Sequence, residues 1–413
     1  MGNRIVDRMI SSKSESFERR LGRRGILSSG REWTLKTDAP VSLSRPSFSL
    51  SLQDGVTSLT REGSKTTLNE DPLDYLDKML DRGYYALGFF SYEFFKYLKM
   101  GVMPKEGKED WPIPELSFLF FEESNLVKSD FENFSGGPAE NKVSPISNMT
   151  KESYIQMVNK ARQYIARGDI YQANLSQRFE TTFEIQPEQF LFKLQKAQPV
   201  PLACCIDFGE FQLISGSMEL FLRKQGRQIV TRPIKGTRKR GADKMEDQAL
   251  REELYNSKKE RAENLMIVDL MRNDLGRVCE LGSVRVNRLF EIESYTTLFQ
   301  MMSEVEGKLL EETTISDIVK NTFPPGSVTG APKVRAMEII GELEPHLRGP
   351  YCGAIGLFKP DGDFVLSVAI RVLVSSRGKG TFWVGGGIMW DSIPEQEYIE
   401  TLVKAEAIMR ALG

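Results

Sequence analysis

Apolar positions recur along this chain with two spacings, one typical of strands and one typical of helices. Short apolar runs predict strands over 202–208, 211–215, 228–232, 284–287, 354–357, 364–374 and 381–384. Helical spacing predicts a helix over 154–165 that Gly168 ends, a long helix from about 242 to 267, and an amphipathic helix over 395–412. Strands joined mainly by short turns, with long helices inserted, indicate an α+β fold rather than a doubly wound parallel sheet.

The chain divides into four predicted segments. Residues 1–31 are rich in Arg and Ser, and acidic residues among them argue against a transit peptide, so we expect a disordered leader. Residues 32–122 contain strand and helix patterns and form a predicted N-terminal subdomain. Residues 123–149 change to Ser, Asn, Gly, Pro and Lys, which predicts a surface linker. Residues 150–413 carry the strongest pattern and form the predicted main domain.

Composition excludes several classes of function. The chain has 40% apolar and 27% charged residues and a formal net charge of −2, which gives no electrostatic case for binding nucleic acid or an anionic membrane surface. No apolar run approaches the length of a membrane span. The four cysteines, Cys204, Cys205, Cys279 and Cys352, form no CxxC pair, so we expect reduced thiols in a cytoplasmic protein.

A single histidine limits the catalytic machinery further. His346 follows a predicted helix in a loop, which is a poor position for a Ser-His-Asp or Cys-His mechanism. The sequence also lacks the Gly-x-Cys-x-Gly motif of a glutaminase. We therefore expect neither triad-type hydrolysis nor glutamine hydrolysis from this chain.

Two predicted helices each present a pair of carboxylates. Glu260 and Glu263 are three residues apart, as are Glu397 and Glu400, so each pair lies on one helix face. Two such faces that meet in a cleft would form an all-oxygen site, which favours a hard cation such as Mg²⁺. The alternative is that each pair is simply a solvated helix surface, and spacing alone does not decide between the two.

Three stretches resemble the signature segments of the chorismate-utilising enzymes: 231–241, whose core is Pro233-Ile-Lys-Gly-Thr237, then 261–274 and 391–405. The resemblance is dense over 150–413 and looser over 32–122. It implies the fold of anthranilate synthase component I, in which large antiparallel sheets pack as a sandwich with helices around them. It also implies chorismate as substrate and makes 150–413 a chorismate-binding catalytic domain.

The resemblance implies a site for each part of the reaction. It makes Glu263 and Glu400 the direct Mg²⁺ ligands, with Glu260 and Glu397 acting through water or as second ligands. The implied substrate-binding residues are Gln172, Thr237, Thr329, Tyr351, Arg371, Gly385, Gly386, Gly387 and Lys404.

Physical chemistry supports three of these substrate contacts. Arg371, on a predicted strand, matches the carboxylate-binding arginine of the family. The three glycines 385–387 are expected to form a turn after a strand, whose N–H groups can approach a carboxylate. Thr329 precedes a helix that has Pro332 in its first turn, and a helix N-terminus favours negative charge.

The resemblance implies that Lys235 and Glu219 carry the chemistry. Members with a lysine at the position of Lys235 aminate chorismate at ring carbon 4, whereas members that form anthranilate or isochorismate usually have alanine there. Lys235 would attack ring carbon 2 while Glu219, with a raised pKa, acts as general acid for the leaving hydroxyl. Because only a neutral amine is nucleophilic, we expect burial, helped by Arg232 and Arg238, to lower the pKa of Lys235.

Two further positions favour the same product. Gln172 stands where isochorismate-forming members carry a water-activating lysine, and Phe299 and Gln300 stand where anthranilate-forming members have a histidine. The expected product is 4-amino-4-deoxychorismate, for para-aminobenzoate and folate; the alternative is anthranilate, for tryptophan. Ammonia is expected from a separate glutamine amidotransferase subunit. A third possibility, an inactive scaffold that binds a partner subunit, does not explain why so many convergent charges are present.

Overall fold

A computed structural model describes residues 23–28, 32–33, 35, 37, 39–102, 113–129 and 144–413 of the chain. In this part of the chain, 22 strands form two antiparallel sheets, with eight α-helices around them.

The strands are β1 (Arg24–Leu27), β2 (Val41–Ser44), β3 (Phe48–Gln53), β4 (Val56–Arg61), β5 (Ser64–Thr67), β6 (Tyr85–Phe90), β7 (Leu116–Phe121), β8 (Leu126–Lys128), β9 (Ile146–Ser147), β10 (Gln172–Thr182), β11 (Leu202–Asp207), β12 (Gln212–Ser217), β13 (Leu220–Gln225), β14 (Gln228–Arg232), β15 (Ile234–Lys239), β16 (Arg285–Ser294), β17 (Leu298–Lys308), β18 (Gly330–Ala331), β19 (Ala354–Phe358), β20 (Phe364–Val368), β21 (Val372–Ser376) and β22 (Lys379–Ile388). The helices are α1 (Pro72–Asp81), α2 (Lys151–Ala166), α3 (Pro187–Ala197), α4 (Lys244–Asn256), α5 (Lys258–Gly276), α6 (Ile315–Thr322), α7 (Lys333–Leu343) and α8 (Pro394–Leu412). Among the helices so described, none is both long and apolar enough to cross a membrane.

The two sheets pack face to face around one large core. The first sheet has the strand order β18-β10-β22-β21-β12-β11-β1-β2-β8, with β9 beside β10. The second has the order β15-β17-β14-β13-β20-β19-β6-β7-β3-β4-β5, with β16 beside β17. Phe89 of β6 packs edge-on against Phe208, just after β11, with 5.4 Å between the ring centroids. Helices α3 and α8 cover the outer face of the first sheet, so the predicted sandwich with surrounding helices is confirmed.

The four predicted segments do not form separate bodies. Strand β1 lies inside the predicted leader 1–31 and pairs with β11, so a disordered leader is the wrong prediction for Arg24–Leu27, while residues 1–22 lie outside the described part. Strands from 32–122 enter both sheets, β2 the first and β3 to β7 the second. The predicted linker 123–149 contributes β8 and β9, and its residues 130–143 are outside the described part.

The long helix predicted over 242–267 is two helices. Ser257 ends α4 with an extended backbone and begins α5, where its hydroxyl oxygen accepts a hydrogen bond from the N–H of Glu260 at 3.3 Å. Serine is a strong N-cap, so a second helix can begin directly where the first one ends. As a result α5 points Glu260 and Glu263 in a direction that a continuous helix from α4 would not allow.

The strand predicted over 364–374 is also two strands. β20 belongs to the second sheet and β21 to the first, and the chain passes between them at 369–371. Arg371 therefore does not lie on a strand: its φ is 52°, a left-handed backbone conformation. The turn predicted at glycines 385–387 is wrong in the opposite sense, because these residues lie inside β22 and pair with β10.

Candidate active site

Two of the connections that carry the chain from one sheet to the other contribute side chains to one cavity. β12 of the first sheet leads into β13 of the second at 218–219, and β20 leads back into β21 at 369–371. The N–H of Val368 donates to the carbonyl of Glu219 at 2.9 Å, so the two connections lie side by side. The cavity therefore lies where the sheets meet.

The cavity has a volume of about 710 Å³, and β15, α5, β22 and α8 form much of its wall. The predicted site residues that line it are Glu219, Lys235, Thr237, Glu260, Glu263, Tyr351, Arg371, Gly385, Gly387, Glu397, Glu400 and Lys404. Three predicted residues, Gln172, Thr329 and Gly386, do not line it. The fold thus brings together most of the side chains that the resemblance singled out.

Lys235 forms a buried ion pair at the centre of the cavity wall. Its Nζ lies 2.9 Å from Oε1 of Glu263. Burial alone would lower the pKa of Lys235, but the charges of Glu263, Glu219 and Glu400 outweigh burial and raise it above its ordinary value. In this state Lys235 is therefore an ammonium ion that holds a carboxylate.

The expectation that Arg232 and Arg238 lower the pKa of Lys235 is wrong. Nε of Arg232 donates to Glu304 at 2.6 Å, and Nε of Arg238 donates to Glu253 at 2.9 Å. Each arginine charge is thus compensated by a carboxylate. The sequence showed both arginines near Lys235, but it did not show that each would pair with an acid elsewhere in the fold.

Glu219 is a buried acid with a raised pKa, as predicted. The residue is 4% exposed, and burial raises its pKa to about 7, although a hydrogen bond from Ser327, the charge of Lys235 and the N–H of Ile234 act in the opposite direction. A carboxyl group that titrates near neutral pH can donate a proton to a leaving group. Met218, the residue before Glu219, lines the cavity as well.

Arg371 supplies a cation with no counter-charge. Its Nη1 donates to the backbone carbonyl of Lys404, and none of the described carboxylates forms an ion pair with it. Burial lowers its pKa to about 10, so the guanidinium is still charged at neutral pH. A half-buried guanidinium at a cavity wall, without a carboxylate partner among the described residues, is suited to bind a carboxylate of a ligand.

Helix α8 contributes a second set of charges. Nζ of Lys404 lies 2.6 Å from Oε1 of Glu400 and donates to the carbonyl of Gly385 at 3.0 Å. The charge of Lys404 lowers the pKa of Glu400, whereas burial raises the pKa of Glu397, whose Oε1 accepts from Ser392 at 2.6 Å. The pKa values of the two glutamates thus shift in opposite directions despite their common helix face.

The glutamates of α8 and α5 lie beside two adjacent glycines of β22. A Cβ at Gly386 would lie 3.4 Å from Oε2 of Glu397 and 3.8 Å from Oε1 of Glu400, and a Cβ at Gly387 would lie 2.9 Å from Oε1 of Glu263. All four glutamates also line the cavity. The donor atoms that they supply are carboxylate oxygens, which suit a hard divalent cation such as Mg²⁺.

The glutamates are not yet arranged as metal ligands. Within the described residues, no three His, Cys, Asp or Glu side chains are close enough together to hold an ion. Lys235 and Lys404 neutralise Glu263 and Glu400 instead, and Nη1 of Arg238 lies 3.4 Å from Oε1 of Glu260. The residues fit Mg²⁺ by donor type, and binding would require these contacts to rearrange.

Thr329 and the helix N-terminus that follows it, which we expected to favour an anionic substrate, have other roles in the fold. The hydroxyl of Thr329 donates to the carbonyl of Pro325 and not to the cavity. Behind it, Pro332 is the N-cap of α7, and Lys333 in the first turn of that helix donates to Asp274 of α5 at 2.6 Å. This N-terminus is therefore occupied by a buried ion pair that joins α7 to α5.

Sequence reasoning did not predict Ser327 or Gln300 as site residues, yet both line the cavity. Ser327 bonds to the Glu219 carboxyl, and it lies two residues before Thr329, so the matched motif began too late in the chain. Gln300 lines the cavity, whereas its neighbour Phe299 points into the apolar cluster beside α4. Strand alternation would have separated these two, because adjacent residues of β17 face opposite sides of the sheet.

Comparison with known proteins identifies one family for this chain. The model of the chorismate binding enzymes matches residues 22–410. Aminodeoxychorismate synthase component 1 of Bacillus subtilis is 38% identical over 361 residues, which cover 79% of this chain and 76% of the relative. The protein of the same name from Escherichia coli is 36% identical over 390 residues, 86% of each chain.

A second group of relatives carries a different name. Anthranilate synthase component 1 of Aquifex aeolicus is 45% identical over 266 residues, which cover 64% of this chain but only 54% of that relative. The crystal structure of anthranilate synthase component I from Streptococcus pneumoniae superimposes with a TM-score of 0.78 at 28% identity, over 94% of this chain and 92% of the other. The predicted anthranilate synthase component I-like fold is confirmed.

Proposed function

This chain belongs to the family of chorismate binding enzymes, and we propose that it aminates chorismate to 4-amino-4-deoxychorismate, a transferase reaction of para-aminobenzoate and folate biosynthesis. Two aminodeoxychorismate synthases each match at least 76% of both chains. The observation that carries the proposal is the presence of Lys235 and Glu219 together in one cavity wall. An amine and a carboxyl group of raised pKa are the two groups that a covalent displacement on the ring requires.

The reaction takes place in two displacements. The amine of Lys235, once it has lost its extra proton, forms a bond to ring carbon 2 while the carbon 4 hydroxyl departs, and Glu219 donates the proton that makes the leaving group water. Ammonia then forms a bond to carbon 4, and the bond between carbon 2 and Lys235 breaks. The sum is chorismate plus ammonia to 4-amino-4-deoxychorismate plus water, so no oxidant or reductant is needed.

The cavity supplies charge for a dianionic substrate. Arg371, whose guanidinium has no carboxylate partner among the described residues, would hold one substrate carboxylate, and Lys404 on the facing helix would hold the other end. Tyr351 stacks parallel to Trp383 with 6.3 Å between the ring centroids and forms a flat wall beside them. Binding and orientation of the ring are thus the work of this chain's own side chains.

The four glutamates of α5 and α8 would hold Mg²⁺, with Glu263 and Glu400 as direct ligands. When bound, the ion would neutralise negative charge on the substrate and assist departure of the hydroxyl. Its binding competes with the contacts that Lys235 and Lys404 make to these carboxylates. The cation would therefore free the amine that the reaction uses.

Ammonia would come from a glutamine amidotransferase subunit in the cytoplasm. Both aminodeoxychorismate synthase relatives are named as component 1, which fits a second component. The single histidine of this chain, His346, is not a cavity residue; its Nδ1 lies 2.9 Å from Asn148. A transient partner that delivers ammonia to the cavity completes the proposed reaction.

Anthranilate formation is the second candidate, and the high local identity to the anthranilate synthase of Aquifex aeolicus favours it. Two features of the cavity oppose it. Lys235 stands where members of that kind usually have alanine, and Gln300 brings an amide to the wall where they have a histidine. The elimination that forms anthranilate needs a proton transfer for which this wall has no imidazole.

The test is product identification by mass spectrometry. The purified chain is incubated with chorismate, Mg²⁺ and an ammonium salt, beside Lys235→Ala and the control Lys224→Ala, whose Nζ contacts the Gly362 carbonyl away from the cavity. We expect aminodeoxychorismate from the wild type and from Lys224→Ala, and none from Lys235→Ala. Anthranilate as the main product, with Lys235 dispensable, would assign the chain to tryptophan biosynthesis. No turnover of chorismate would overturn both enzyme proposals.

A further inference from the structure

Glu263 carries two hydrogen-bond donors on one of its oxygens. Nε2 of Gln172 lies 2.8 Å from Oε1, and Nζ of Lys235 lies 2.9 Å from the same atom. The contact is well buried, since Glu263 is 8% and Gln172 1% exposed. In the described part of the chain no other group donates to Glu263, so Oε2 is the oxygen left for a ligand in the cavity.

Gln172 reaches this carboxylate from behind the cavity wall. It is the first residue of β10 and does not line the cavity. Its side chain passes over Gly387 of the neighbouring strand β22, where a Cβ would lie 2.1 Å from Nε2 of Gln172. The contact is therefore built into the pairing of β10 with β22, and Gln172 acts on the cavity through Glu263.

The shared oxygen matters because the proposed reaction removes one of its donors. Lys235 has to leave Glu263 before it can form a bond to the ring, and Gln172 is then the donor that stays on Oε1. A glutamate has a broad, roughly two-fold preference about its last side-chain torsion, so a carboxylate without a fixed donor can turn and exchange its oxygens. Gln172 prevents that turn.

We propose that Gln172 is a positioning residue of the cation site. It holds Oε1 of Glu263 so that Oε2 remains directed to a divalent cation before and after Lys235 departs. This inference rests on the proposed function, because it needs both a cation at Glu263 and a mobile Lys235. Groups that orient a metal ligand from behind typically affect metal affinity by about 10-fold to 100-fold.

The test measures Mg²⁺ binding without chorismate, by isothermal titration calorimetry of four purified chains: wild type, Gln172→Met, Lys235→Met and the double variant. We expect Gln172→Met to weaken Mg²⁺ binding by about 10-fold. The loss should be larger in the Lys235→Met background, where no donor would remain on Oε1, and this non-additivity is what a double-mutant cycle detects. A purely structural role would give the same small loss in both backgrounds.

Gln228→Met is the matched control. Nε2 of Gln228 donates to Glu306 at 2.9 Å, which is the same kind of contact away from the cavity, so Mg²⁺ affinity should not change. Thermal unfolding checks each variant, and little change is expected for Gln172→Met because Oε1 of Gln172 is itself buried without a partner. If Gln172→Met does not fold, Gly387→Ala displaces the same Nε2 and replaces it in the comparison.

Each outcome bears on a different proposal. Equal Mg²⁺ affinity of Gln172→Met and wild type in both backgrounds would overturn this inference and leave the proposed function intact. A wild type that binds no Mg²⁺ at millimolar concentration would overturn the cation site and this inference together. Product formation by the wild type in the mass spectrometric assay is independent of both results.

Discussion

The carboxyl group of Glu219 accepts a hydrogen bond from the backbone N–H of Ile234, the residue before Lys235. The proposed acid is thus hydrogen-bonded to β15, the strand that carries the proposed nucleophile. Glu219 itself lies in the connection that precedes β13. The two groups also interact by charge: Lys235 lowers the pKa of Glu219, and Glu219 raises the pKa of Lys235.

The pH profile of the rate should follow Glu219. Burial raises its pKa to about 7 in the free protein, and a general acid works only when protonated, so kcat/KM should fall as the pH rises through about 7. We expect Glu219→Gln to lose about 100-fold or more in kcat/KM and to lose this alkaline limb. The measurement is kcat/KM for chorismate against pH with the concentration of free ammonia held constant. A wild-type rate that stays level above neutral pH would remove Glu219 from the role of acid.

Replacement of Arg371 by methionine should separate binding from stability. Loss of a charged hydrogen bond to a substrate carboxylate costs about 1.5–3 kcal/mol, so KM for chorismate should rise by about 10-fold to 100-fold. The free energy of unfolding should not fall, because the variant removes a half-buried cation that has no carboxylate partner in the described structure. Steady-state kinetics and urea unfolding measure the two effects.

The control for Arg371 is Arg285→Met. Arg285 is an exposed arginine at the start of β16 that pairs with Glu306, so its replacement should leave KM unchanged. An unchanged KM in Arg371→Met as well would show that the substrate carboxylate is held elsewhere.

Gly387→Ala should weaken Mg²⁺ binding. Its Cβ would lie 2.1 Å from Nε2 of Gln172 and 2.9 Å from Oε1 of Glu263, so the contact between them cannot persist unchanged. Calorimetry should show lower Mg²⁺ affinity and thermal unfolding a lower Tm. Adding Gln172→Ala should restore part of the Tm, since it removes the overlapped group, but it should not restore the affinity.

Gly341→Ala in α7 controls for the substitution itself. Nothing lies within 4 Å of a Cβ at Gly341, so alanine there should be neutral or should stabilise the helix by up to about 1 kcal/mol. If Gly387→Ala behaves like Gly341→Ala, the space above Gly387 is not needed for the carboxylate.

Glu93 should make the stability of the protein depend on pH. Burial raises its folded-state pKa from 4.5 to about 7, against an opposing hydrogen bond from the N–H of Arg348. The stability linked to this group is therefore complete below about pH 4.5 and is lost as the pH rises through about 7, by roughly 3 kcal/mol. Glu93→Gln, which cannot ionise, should be more stable than wild type above neutral pH.

Urea unfolding at acidic and alkaline pH measures this difference. Near pH 4.5 the Glu93→Gln variant and the wild type should converge, because both side chains are then neutral. The exposed Glu123 provides the control, and Glu123→Gln should follow the wild type at both pH values. A constant gap between Glu93→Gln and wild type across pH would mean that Glu93 does not change its charge on folding.

The local pattern of apolar residues was sufficient to predict those helices and strands whose conformation depends mainly on their own residues. The amphipathic spacing of 395–412 corresponds to α8, and the apolar run at 228–232 corresponds to β14. Pattern failed where a change of sheet interrupts a run: 364–374 reads as one strand because both halves are apolar, and only the two sheets divide it at Arg371. It failed again at Ser257, where a cap within a continuous helical pattern starts a new helix.

The sequence by itself determined the family, the sandwich fold and a set of site residues most of which line the cavity, because dense motifs and apolar periodicity are properties of neighbouring residues. Only the tertiary structure decided the partners of those residues. Pairing of β10 with β22 puts Gln172 on Glu263 and not on the cavity surface, and carboxylates distant in sequence hold Lys235 as an ammonium. Charge interactions and hydrogen bonds depend on the distance between the atoms, and these atoms come close only once the two sheets have packed.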